Sequence, residues 1–312
     1  MSDAPASPRR SFTPYVLLTF TMLFWSASPV IANWLKDSMP PVAINFARWA
    51  FSLVLLAPFT LRELAAKRAV LLRHWKLLAL LGFTGAAGFH TLLYWALHWT
   101  TVSNNALIQS ILPVGIMSLS WLLYRERIGK RQAAGMTSSF LGVLVILCRG
   151  DVGVLLTLSF NPGDLLVVGA IFLWSLYAVL LRHRPPELSQ LALLEAITLF
   201  TVLELLPVVA VEELWGTPVV WSWKVVAGAT YLGVFAAALA NLFWNEASHR
   251  IGPNRAAPFV HLLPMFSLLL GVGLVGERLH PYHAPAIALI LGGIGLASMP
   301  RLWVKPATRG IP

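Results

Sequence analysis

The sequence predicts an all-α integral membrane protein: ten transmembrane helices arranged as two inverted five-helix repeats around a central cavity. Three observations predict it. Of the 312 residues, 57% are hydrophobic and 12% are charged, about half the roughly 25% charge of a soluble domain. The apolar residues gather into blocks close to the roughly 20 residues that cross a bilayer core as a helix. The second half of the chain also repeats the first at a constant shift.

Taken in order, residues 1–14 (MSDAPASPRRSFTP) read as a polar tail. The block that follows is too long for a signal-peptide core and lacks a cleavage site, so it reads as the first permanent span. The first repeat, residues 15–150, has spans at Tyr15–Leu35, Pro41–Leu61, Leu77–Leu97, Val102–Leu123 and Ala133–Leu147. The second, residues 151–300, has spans at Asp164–Leu181, Leu188–Val211, Val225–Asn245, Asn254–Val275 and Pro285–Met299, before a C-terminal tail at 301–312. Helices are expected rather than a barrel, because the blocks are long and lack the alternation of barrel strands.

Charge sets the orientation. Arg9 and Arg10 precede the first span, five Lys or Arg residues from Arg62 to Lys76 fill the second gap, and four from Arg125 to Arg131 fill the fourth. Arg182 and Arg184, Arg250, and the tail residues Arg301, Lys305 and Arg309 continue the alternation. Cationic loops stay in the cytoplasm, so both termini are expected there, in a multi-pass protein of the plasma (inner) membrane.

The repeat has a constant offset of 151 residues, the distance from Glu126 to Glu277. It lays Leu81-Gly82 on Leu232-Gly233, Leu112-Pro113 on Leu263-Pro264 and Gly142 on Gly293. Trp25-Ser26 and Trp174-Ser175 match at an offset of 149. Five spans per copy is odd, so the second copy must enter the bilayer from the other side. Inverted repeats around one site are a device of transporters that alternate between inward-open and outward-open shapes.

The stretches SNNALIQSILPVGIMSLSWLLYRERIGKRQAAGMTSSFLGVLVIL and NRAAPFVHLLPMFSLLLGVGLVGERLHPYHAPAIALILGGIGLASM carry a proline within the span, an acidic residue with a neighbour at its end, and then a Gly-containing span. In this they resemble the EamA domain of the drug/metabolite transporter superfamily, twice over and across nearly the whole chain. The resemblance implies a secondary transporter or facilitator, more often an exporter, of amino acids, other metabolites or amphipathic and cationic compounds. It also implies a cavity among the third, fourth, eighth and ninth spans with parts of the first and sixth.

Polar groups inside lipid usually face the bundle interior. His90 and Tyr94 share one helical face, as do their repeat mates Asn241 and Asn245, so the pairs are expected on opposing walls. Asn105 and Gln109 share a face of the fourth span, and His261 on the ninth corresponds to Ser110. Trp25, Trp174 and Tyr177 lie within spans and would present aromatic surface to a solute, whereas Trp99, Trp121, Trp215, Trp221 and Trp303 lie near span ends and fit an interfacial belt. Interhelical hydrogen bonding is the rival role for the polar set. Glu195 and Glu246 are candidates for cation or proton coupling. Arg48 and Glu204, each about 10 Å inside a span, could pair. Glu126 and Glu277, each beside an Arg, read as structural helix-end pairs. Pro113 and Pro264 remove a backbone donor at matched positions and are hinge candidates. Gly135, Ser139 and Gly142 form a small-residue face for packing, within the chain or in a homodimer.

Other classes lack their parts. The net charge of +10 lies in loops between apolar blocks, which speaks against nucleic acid as a partner and for a lipid bilayer and a small-molecule substrate. Cys148 is the only cysteine, so no internal disulfide forms. Gly271-x-Gly273-x-x-Gly276 spells a dinucleotide fingerprint, but it lies inside an apolar span with no strand before it. No catalytic or metal-binding pattern is present, so neither a cofactor nor a metal is expected. A lipid-modifying enzyme using His90 and Glu246, a channel or a structural membrane protein are the alternatives.

Overall fold

Helices run past the apolar blocks that predict them, because caps and backbone bonds end a helix rather than hydropathy. The computed structural model describes residues 12–96, 98–100, 102–151, 153–156, 161–216, 218–275 and 278–298, and every regular element among them is helical. The main ones are α1 (Thr13–Ala32), α2 (Pro41–Ala66), α3 (Arg68–Ala96), α4 (Asn105–Tyr124), α5 (Lys130–Leu147), α6 (Pro162–His183), α7 (Gln190–Leu214), α8 (Trp223–Ile251), α9 (Pro253–Gly273) and α10 (His283–Ser298). Eight of them, all but α5 and α10, are long and apolar enough to cross a membrane. Only Lys67 interrupts the chain between α2 and α3. The third span, expected from Leu77, is helical from Arg68, whose turn carries long cationic side chains that reach water from a helix end.

The molecule is arranged for lipid rather than water. Val54, Phe59 and Leu165 are each more than 70% exposed, while Asn45, Arg48, His90, Glu195, Asn241 and His261 are buried. Trp99, Trp121 and Trp221 are exposed, as an interfacial belt requires. The side chain of Trp215, together with Trp303 and Glu277, lies outside the described residues.

Two pairings hold the bundle. Along α2 and α7, Glu63 near the end of α2 accepts from the backbone N–H (2.8 Å) and hydroxyl (2.6 Å) of Ser189, the N-cap of α7. At the other end Glu212 of α7 accepts from the N–H groups of Val42 (3.1 Å) and Ala43 (2.8 Å), in the first turn of α2. Each helix thus supplies a carboxylate to the other's electropositive N-terminus, where orphan amides need an acceptor.

Along α5 and α10 the contact is backbone to backbone. A Cβ on Gly135 would lie 2.5 Å from the Gly293 carbonyl oxygen and the Ala297 amide, and one on Gly142 would lie 2.6 Å from the Ala286 oxygen. The small-residue face of α5 is therefore taken up by α10 inside the chain and is not left for a second copy.

Side-chain bonds gather the connections at two ends. The α2–α3 and α6–α7 turns meet through Glu63 and Ser189. Those of α4–α5 and α8–α9 meet through Glu126 and Asn254, 2.6 Å apart, and Arg182 joins α6 to Glu126 at 2.9 Å. This is the basic end. At the far end Val220 N–H donates to Ser38 O at 2.9 Å, and the Thr100 hydroxyl donates to Asp164.

Both α3 and α8 contain a π-helical stretch, Phe83–Ala87 and Leu232–Leu239, which the offset of 151 superposes. In the second, the Ala240 N–H reaches back five residues to Phe235 O instead of four to Ala236 O. A π turn thereby frees a carbonyl that an α-helix would occupy. The helices α4 and α9 are broken near their prolines: Val114 N–H bonds Ile111 O at 2.9 Å rather than Ser110 O, and Ala257–His261 is a 3₁₀ turn.

Candidate functional site

A cavity of about 520 Å³ opens at the basic end between α5, α6, α8 and the start of α9, beside the turn that follows α4. Its charged lining includes Glu126, Arg127, Arg182 and Arg255, three cations to one anion. Glu126 is held by Arg182 and Asn254, and the Arg182 guanidinium lies 3.9 Å over the Tyr124 ring. The inner limit of the cavity is Ala178 on α6 and Ser248 on α8.

One turn deeper the Tyr177 hydroxyl donates to Asn245 Oδ1 at 2.5 Å, joining α6 to α8. Beyond that bond lies an aromatic cluster. Trp25 meets Trp174 edge-to-face, with centroids 5.1 Å apart and planes at 82°. Trp174 also touches Tyr177 (5.1 Å), Phe89 (4.9 Å) and Trp244 (6.0 Å). Such contacts stabilise by about 0.5–1.5 kcal/mol each beyond burial. Glycine makes the approach: a Cβ at Gly85 would stand 2.5 Å from the Tyr177 ring.

Against this cluster lies Arg48, 2% exposed. Its guanidinium donates to His90 Nε2 at 2.9 Å and to Ala236 O at 2.9 Å. Guanidinium has only donors, so His90 Nε2 accepts, which leaves Nδ1–H to donate to Ala86 O at 3.2 Å. Three side chains share the Ala236 carbonyl freed by the π turn: Arg48, Trp25 Nε1 at 3.0 Å and Asn241 Nδ2 at 3.1 Å. Tyr94 stands beside this group, its ring 6.1 Å from that of His90. Helices α1, α2 and α8 thus converge on one atom, and α3 joins them through His90 on Arg48.

The profile of the EamA-like transporter family matches residues 13–148 and again residues 161–299. The chain belongs to the EamA-like transporter family. Among curated proteins, this EamA chain is 25% identical to the uncharacterized transporter YyaM of Bacillus subtilis, covering 91% of this chain and 93% of that one. It is 23% identical to a probable amino-acid metabolite efflux pump of Salmonella typhimurium (89% and 92% covered). To the aromatic amino acid exporter YddG of Ancylobacter novellus it is 24% identical over 70% and 74% of the two chains. One crystal structure superposes with a TM-score of 0.71 at 20% identity, covering 91% of this chain and 97% of that one, a likeness of fold. The EamA protein is a membrane-embedded transporter, not an enzyme, and its partners are a lipid bilayer and a small-molecule substrate.

Other candidates of the EamA chain fall elsewhere. The His261 ring is fully engaged: Nε2–H donates to Ser110 O at 3.0 Å, and Nδ1 lies 2.7 Å from the Ser139 hydroxyl. It therefore fills the carbonyl left open by the break in α4, at the position of its own repeat mate. Gln109 Nε2 donates to Asn105 Oδ1 at 2.8 Å on the same helix. Glu195 is 2% exposed, with Oε2 unpartnered, whereas Glu246 is bound to Arg250 at 2.5 Å. Arg48 and Glu204 do not pair; no described carboxylate lies within 4.0 Å of Arg48. Pro113 and Pro264 stand two and three residues into the helices that resume after the breaks. Trp244 was not legible as a site residue, because its repeat mate is the aliphatic Leu93.

Proposed function

We propose that this transporter moves a small organic solute across the plasma (inner) membrane by alternating access between two inverted repeats of five spans, 15–150 and 151–300, with both termini cytoplasmic. The observation that carries the reading is the buried polar and aromatic centre. It is built by helices of both halves, and it lies one turn beneath a cavity open at the basic end. The helix pairings favour it further: α1 packs on α8 as α6 packs on α3, the exchange that a two-fold relation between repeats demands. The basic end is then the cytoplasmic end and the present shape inward-facing.

In this reading Trp25, His90, Tyr94, Trp174, Tyr177, Asn241 and Asn245 face the solute. Asn105, Gln109 and His261 line or brace the fourth and ninth spans, and Pro113 and Pro264 act as hinges. Export is favoured because two relatives are named as exporters of amino acids or their metabolites. Purified protein in liposomes is expected to give counterflow of an amino acid or an amphipathic compound; no counterflow of amino acids, cationic drugs or phosphorylated sugars would end the reading. Tyr94→Ala and Gln109→Ala should each lower flux about tenfold with folded yield unchanged, an effect read from initial rates. Of the two coupling candidates, Glu195 makes no ion pair among the described residues. Glu195→Gln should abolish acceleration by a pH gradient while leaving exchange at equal pH, and Glu246→Gln should not.

A further inference from the structure

Resting on the transport reading above, we propose that Arg48 is the recognition point for the carboxylate of a small organic anion with an apolar, flat body. Arg48 is a fully buried cation with no described carboxylate within 4.0 Å. A charge left so in a low-dielectric bundle is costly unless something of opposite sign visits it. Two of its nitrogens are bonded, to His90 and Ala236 O, its other neighbours are the Tyr94 side chain and the Trp49 ring at 5.5 Å, all uncharged, and Nε has no partner among the described residues.

The neighbouring unpartnered groups point the same way. Trp174 Nε1, Trp244 Nε1 and Asn245 Nδ2 are buried N–H donors without acceptors among the described residues. Donors left over around a cation call for a ligand rich in acceptors, which a carboxylate is. Among the described residues, the unpartnered acceptors on the turns of α2 that flank Arg48, Asn45 Oδ1 and Ser52 Oγ, are neutral and offer an ammonium group no countercharge.

The approach is suited to an anion as well. The cavity at the basic end carries three arginines against Glu126, a field that concentrates anions. From it Ser248, Asn245 and Asn241 follow one another at spacings of three and four along one face of α8, ending at the carbonyl that Arg48 shares with Asn241. The first two of these have unpartnered polar atoms. The rings of Trp25, Trp174 and Trp244 would stack on the solute body.

The test is binding to the full chain in nanodiscs, read by tryptophan fluorescence, with three probes of one shape: 3-phenylpropionate, 3-phenylpropanamide and phenethylamine. The carboxylate is expected to bind about tenfold or more tightly than either isostere. Arg48→Gln should lose that preference and Arg48→Lys should keep part of it. Equal binding of the amide or the amine overturns the proposal on the native chain alone, even if Arg48→Gln fails to fold. So does displacement by chloride at the concentration where the carboxylate binds, which would mark an inorganic-anion site. Counterflow in parallel separates the two ideas: amine flux with no carboxylate preference sinks only the anion site, whereas no flux of these probes and none of amino acids, cationic drugs or phosphorylated sugars sinks transport.

Discussion

Gly293→Leu is expected to abolish most of the folded protein, while Gly292→Leu, one residue away on the same helix, leaves it intact. A Cβ at Gly293 would meet the Ser139 amide and lie 2.5 Å from the Gly135 carbonyl oxygen. Both are backbone atoms of α5, so no rotamer change relieves the clash and the helices must separate. Overpacking a tight contact costs about 1–3 kcal/mol where side chains can adjust; here the obstacle is backbone, and the loss should reach about 3 kcal/mol or more. At Gly292 nothing lies within 4 Å and the position is exposed, so a leucine there meets only lipid. Monodisperse yield and the thermal midpoint in detergent separate the two variants; equal behaviour would mean that α5 and α10 do not pack this closely.

His90→Leu is the second large effect, and it should act through Arg48. Removing the imidazole leaves a buried guanidinium with one fewer acceptor, and stranding a buried charged donor costs about 2–3 kcal/mol. The variant should therefore lose stability as well as flux. Replacing both partners, Arg48→Met with His90→Leu, should recover most of the stability and none of the transport, because an apolar pair leaves no orphan charge. A double variant less stable than His90→Leu alone would show that Arg48 stabilises the fold on its own account.

The helices themselves were legible because apolar blocks of membrane length leave little else for the backbone to do in lipid. Trp25 and Trp174 were visible as matched residues once the two halves were laid on each other, but the contact between their rings was not. Nor was the fate of Arg48. Its depth in the second span was plain, but its acceptor is a main-chain carbonyl exposed by a π turn in α8, and composition does not record which amide skips a residue. His261 is similar: it shares the signature of a cavity histidine, yet it satisfies Ser110 O, which is open only because Val114 N–H bonds one residue short. In both cases a polar side chain completes a local lapse in backbone bonding, a property of register rather than of residue type. The small-residue face of α5 was visible as a packing surface, but not whether its partner lay within the chain.

Glu63 and Glu212 fasten opposite ends of one helix pair, each holding the other helix by its first turn. Slippage of α2 along α7 by a single residue, about 1.5 Å, would pull both carboxylates away from their amides at once. Swivelling about the shared line would disturb neither. Such a seam behaves like the spine of a book: the pages on either side can fan open at the head or at the foot, but the binding does not travel.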